Sequence, residues 1–177
     1  TVLNNTWSLS VAQKADISAF AIGSVTLTAS ASDRVGNTGT SAPQTITLDN
    51  ASPSIGSAPS ITSSTGLTDV SNVTTLNAGD SVTFSVSFSE VVTVTGAPKL
   101  AINIGGTTVQ ATYAGGTGST TLTFTSNVVA GLNDANGISV VANGLALNGG
   151  TIKDAAGNPA TLSHIAMADN IGLRAGI

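Results

Sequence analysis

The chain has 177 residues, of which only 8% are charged and 3% aromatic, with no cysteine and a net charge of −4. Five basic residues against nine acidic ones form no patch to neutralise phosphates, which argues against a nucleic-acid partner. Without thiols there is no disulfide and no thiolate metal site, and no apolar run approaches the ~20 residues of a membrane helix.

No charged segment followed by an apolar run opens the chain, so no signal peptide is expected and the chain is expected to be a piece of a longer one. Trp7, Leu9 and Val11 alternate with polar neighbours and predict a first strand; Val11 to Phe20 is the one stretch with a helical reading, a single turn bridging two strands. Strands follow around Val25/Leu27/Ala29 and Ile46/Leu48. The longest alternation sets Val82, Phe84, Val86 and Phe88 against Ser81, Thr83, Ser85, Ser87 and Ser89, and Leu100/Ile102/Ile104, Leu122/Phe124 and Leu145/Leu147 repeat the pattern. Each such segment buries one face and turns hydroxyls to water. Gly36-Asn37, Gly105-Gly106, Gly115-Gly116, Asn136-Gly137 and Asn148-Gly149-Gly150 mark turns between them. Short strands and frequent turns predict an all-β sandwich. Its core is expected at Trp7, Phe84, Phe88, Leu100, Ile102, Leu122 and Phe124, with their sequence neighbours exposed.

An internal repeat sets the domain organisation. Asp33-Arg34-Val35-Gly36-Asn37 returns 121 residues later as Asp154-Ala155-Ala156-Gly157-Asn158, and Asp49-Asn50 returns 120 residues later as Asp169-Asn170. A unit of about 120 residues makes 1–50 the C-terminal half of one domain and 51–177 a complete domain with its following linker. Asp49-Asn50-Ala51-Ser52-Pro53 is the boundary, by its turn-forming composition.

These residues resemble a known family. Trp7-Ser8-Leu9 through "ASASDRVGNTGT" to "ITLDNASP" resembles the C-terminal half of the bacterial Ig-like repeats of giant surface adhesins. The stretch "GDSVTFSVSFSEVVTVTGAPKLAINIGG" (79–106), with "ATYAGGTGSTTLTF" (111–124) and "NDANGISVVANGLALNGGTIKDAAGN" (133–158), is similar to a complete repeat of a related subtype found in biofilm-associated cell-surface proteins. The resemblance implies an Ig-like Greek-key sandwich, an extracellular location on a bacterial surface, and a non-catalytic extender spacing an adhesive region from the cell. It further implies neighbouring Ig-like repeats, or other copies, as partners, and Ca²⁺ at domain junctions. Two other readings stand beside it: a subunit of an extracellular filament or surface layer built by strand pairing or donation between copies, and a module that binds sugar, ice or protein.

Ca²⁺ takes six to eight oxygens, mostly from carboxylates, amides and carbonyls. The candidate ligands are Asp33 and Asn37 in one turn, Asp49 in the linker, Asp69 and Glu90 in the following domain, and Asp154, Asn158 and Asp169 in the repeat of the first group. The competing reading makes D-x-x-G-N a plain hairpin turn, with Asp holding a backbone N–H and Gly-Asn supplying positive φ. Glu90, the sole glutamate, ends an apolar strand, where a metal, Lys99, Lys153 or solvent must meet its charge. His164 has neither a nucleophile elbow nor an oxyanion hole around it, so no catalysis is expected. Thr-x-Thr rows such as Thr121/Thr123/Thr125 are read as the solvent face of strands.

Overall fold

A computed structural model describes residues 23–176. The predicted strand around Trp7 and the helical turn from Val11 to Phe20 lie outside the described residues. The chain divides into two compact units, with the break between Ala51 and Ser52. Every regular element among the described residues is a strand.

The first unit holds β1 (Gly23–Leu27), β2 (Ser30–Ser32), β3 (Thr38–Thr40) and β4 (Gln44–Leu48). β1 and β4 pair antiparallel, with Val25 opposite Ile46. β2 and β3 form a hairpin around the Asp33–Asn37 turn. The sequence marks the hairpin turn but neither of the strands that flank it. Its strands are three residues long and their side chains all exposed, so they carry no apolar alternation to betray them.

The second unit holds β5 (Ser60–Ser64), β6 (Leu67–Thr68), β7 (Thr74–Leu76), β8 (Ser81–Thr95), β9 (Lys99–Ile104), β10 (Thr107–Gly115), β11 (Ser119–Asn127), β12 (Ile138–Ala146), β13 (Thr151–Lys153), β14 (Met167–Asn170) and β15 (Leu173–Ala175). The large sheet runs β13-β8-β11-β10-β9-β12-β14, with β5 also paired to β8; a second sheet runs β15-β7-β6. β9, β10 and β11 follow one another as antiparallel hairpins, while β12 returns to lie beside β9. Both sheets feed one core, Leu76, Leu173 and Ala175 from the small one packing with Val82, Phe84, Val86, Leu100, Ile102, Leu122 and Phe124 from the large one. The described residues are all-β, and in the second unit the two sheets enclose this core.

The period-two pattern creates that core. In β8, Val82, Phe84, Val86 and Phe88 are buried, and in β9 Leu100, Ile102 and Ile104 are. All the predicted core residues among those described are buried. The expected exposure of their neighbours holds at Ser87 and Ser89 only: Ser85 is buried, and Thr83, Lys99, Ala101, Asn103, Thr121, Thr123 and Thr125 are half-buried. Ser85 is covered because β5 lies against β8, and the two strands join there through a Ser60–Ser85 hydroxyl pair at 2.8 Å.

The second unit repeats the plan of the first. As β1 pairs β4 around the β2–β3 hairpin, so β12 pairs β14 antiparallel around β13, whose Lys153 bridges Pro159. β14 and β15 then form one descending run: Asn170 lies opposite Ile138 and Ala175 opposite Asp134, with the change of sheet at Ile171-Gly172.

Candidate metal centre

Three turns share one geometry. In the first, Asp33 Oδ1 accepts the backbone N–H of Val35 and of Asn37, both at 2.9 Å, and Asn37 Nδ2 donates to Oδ2 at 2.8 Å. In the second, Asp154 Oδ1 accepts the Asn158 N–H at 2.8 Å and Oδ2 accepts Asn158 Nδ2 at 2.7 Å. In the third, Asp69 Oδ1 accepts the N–H of Ser71 at 2.7 Å and of Val73 at 3.0 Å. The fourth position needs positive φ, supplied by Gly36 at 92°, Gly157 at 96° and Asn72 at 59°. The Asp69 turn is hidden in the sequence because Asn72 stands where the other two have Gly and Val73 where they have Asn.

These bonds set the carboxylate acidities. The side-chain and backbone N–H groups of Asn37, with those of Val35 and Gly36, stabilise the Asp33 carboxylate and lower its pKa. At Asp154 burial pushes the pKa up, and donation by the Asn158 side chain and by the N–H groups of Asn158, Gly157 and Ala156 outweighs it, leaving the pKa lowered. Asp154 is thus an ionised carboxylate that is nonetheless buried.

Glu90 stands beside it. β13 pairs β8 from Thr93 to Thr95, which draws the residue after β13 back along β8 towards Glu90. The Glu90 and Asp154 carboxylates come within 4.8 Å of one another. Two anions that close, one buried and one half-buried, repel strongly, and a cation between them removes the repulsion. Asp154 Oδ2 accepts Asn158 Nδ2, while the backbone N–H groups of Ala156, Gly157 and Asn158 take up further acceptor capacity of the carboxylate. Asp49 belongs to the first unit, half-buried, with its Oδ1 accepting the Ala51 N–H at 3.0 Å.

The other sequence candidates are placed differently. Asp33 and Asn37 close their own turn in the first unit. Asp69 is exposed in the β6–β7 turn, and Asp169, at the end of β14, accepts from Asn136 Nδ2 at 2.7 Å. Asn158 anchors Asp154 through two bonds. His164 is buried: its Nδ1 lies 2.9 Å from the Ile165 carbonyl, its N–H donates to Asn143 Oδ1, and Nε2 has no hydrogen-bond partner.

Sequence reasoning missed the most deeply buried carboxylate among those described. Asp134 is 2% exposed. Its Oδ2 accepts the Gly105 N–H at 2.8 Å, and its Oδ1 accepts those of Asn136 at 3.2 Å and Gly137 at 2.8 Å. Its backbone exchanges two bonds with Ala175, at 2.7 and 3.2 Å. One residue therefore ties the β9–β10 turn, the loop before β12 and β15 together. The clue in the sequence is Asp134-x-Asn136-Gly137, which reads as a local turn and hides the link to Gly105. Comparison with protein-family models, curated proteins and solved structures returned no match.

Proposed function

We propose that this chain is a non-catalytic spacer: Ig-like repeats of a large extracellular protein on a bacterial surface, set end to end to hold an adhesive region away from the cell. The observation that carries the reading is how the polypeptide passes through the second unit. It comes in at Pro53-Ser54, where Ser89 N–H donates to the Ser54 carbonyl at 2.8 Å and Thr161 N–H to that of Pro53 at 2.7 Å. It leaves at Gly176, whose N–H donates to the Leu76 carbonyl at 2.8 Å, beside the turn that starts β8 at Ser81. The eight residues from Ser81 to Ser89 separate the two points by about 26 Å along the strand direction. A unit threaded from one end to the other adds its length to an array. The return of β12 beside β9 supports the Greek-key form of the reading, since three hairpin-linked strands with the fourth beside the first define that winding.

The junction cation belongs to the same proposal. Glu90 adjoins the point where the chain comes in, and Asp154 faces it. Ca²⁺ held by Glu90 and Asp154 firms the edge of the second unit where the chain comes in. Two measurements test this. Tandem copies of the full chain should show a maximum dimension in small-angle scattering that grows with copy number; a dimension that stays constant refutes the spacer. Ca²⁺ should raise the melting temperature of the full chain, by binding the folded state alone, and Glu90→Gln should remove the rise. Identical melts in Ca²⁺ and chelator refute the cation while leaving the spacer standing.

A further inference from the structure

We infer that β15 is a force latch: the strand through which tension leaves the second unit is held so that a pull along the array shears its hydrogen bonds all at once. The usefulness of such a latch rests on the spacer reading, but its geometry does not.

β15 pairs parallel with β7, Leu173 opposite Thr74 and Ala175 opposite Leu76. The Thr74 N–H donates to the Gly172 carbonyl and the Gly176 N–H to the Leu76 carbonyl, both at 2.8 Å, closing the ladder at its two ends. On its other side β15 exchanges two backbone bonds with Asp134. Leu173 and Ala175 are buried in the core, so sliding the strand also drags apolar side chains through packed neighbours.

The direction of β15 decides how these bonds are loaded. β5 runs antiparallel to β8, and Thr65 N–H then bonds the Ser81 carbonyl at the start of β8. β6 turns back from there, β7 runs antiparallel to β6, and β15 runs with β7. The last strand therefore points out of the end of the unit where β8 begins, away from Ser89. Tension between the two ends pulls β15 along its own axis against β7, and every bond in the pair must lengthen together. Pulling the C-terminal ends of both parallel strands apart instead opens the pair one bond at a time. Forced unfolding reports the barrier to the unfolding step, so the two directions give different forces from the same contacts.

The protein has no cysteine, so one introduced thiol defines each pulling direction. The full chain carries one handle after Ile177 in both cases. Val91→Cys, at an exposed position on β8, makes the shearing direction; Ala78→Cys, exposed just after β7, makes the peeling direction. Both variants should melt like the parent, which establishes that they fold. At one loading rate the shearing direction should resist severalfold greater force before the second unit opens. Equal forces in the two directions, or a lower force in shear, would overturn the latch. The scattering series on tandem copies is a separate experiment, so a failed spacer and a failed latch give different results.

Discussion

Removing the Asp134 carboxylate tests the packing argument most severely. Asp134→Ala deletes the acceptor of three backbone N–H groups, at Gly105, Asn136 and Gly137. The Gly137 bond is buried and the other two are partly buried. Leaving a buried donor unsatisfied costs about 1–3 kcal/mol, and water reaching the two partly buried groups recovers part of their share. The sum is about 3–5 kcal/mol, a large fraction of the 5–15 kcal/mol that stabilises a typical domain. Asp134→Asn keeps Oδ1 for Asn136 and Gly137 but sets an amide N–H against the Gly105 N–H, so it should cost about half as much. Urea unfolding of the full chain by circular dichroism gives the stabilities, and hydrogen exchange localises the loss. The amides of Gly105, Gly137 and Ala175 should lose protection together, because one residue ties all three. An Asp134→Ala midpoint equal to that of the parent, with unchanged exchange at Gly105, would refute the reasoning.

Phe84→Ala empties a fully buried position between β5 and β11 and should destabilise the second unit by about 3–5 kcal/mol in the same urea titration. Gly137→Ala places a methyl group against the Asn170 carbonyl at a φ of 109°, so the β12–β14 pair should open in exchange experiments even though only one carbon is added. Asp33 and Asp154 should titrate below the ordinary aspartate value near 3.8 in carboxyl-detected NMR. Because their folded pKa values are depressed, the stability they contribute is full above about pH 4 and is lost as pH falls through the folded values. Asn37→Ala should raise the Asp33 value, and an unchanged value would show that Asn37 is not the cause.

The fold was legible wherever one face of a strand is dry. Phe84, Leu100, Ile102 and Phe124 declare their burial by alternation, and the repeat of Asp33–Asn37 at Asp154–Asn158 marks the same structural step in both units. What stayed hidden depends on distant partners. Ser85 reads as a surface hydroxyl until β5 covers it. Asp134 reads as a turn former until Gly105, 29 residues away, is brought to its carboxylate. The candidate site was legible as a set of oxygen donors and no further: that Glu90 meets Asp154 follows from β13 lying along β8, a pairing that no local pattern encodes.

The three aspartate turns have a practical consequence. Each is closed by its own first residue and by the positive φ of its fourth, so the two residues between are set by neither packing nor registry. Those pairs differ completely, Arg34-Val35, Val70-Ser71 and Ala155-Ala156, and Val35 and Val70 stand almost entirely in solvent. The turn is a frame with two blank squares. Residues there can be rewritten without touching stability, and a protein engineer can graft a short binding peptide at three points along one chain.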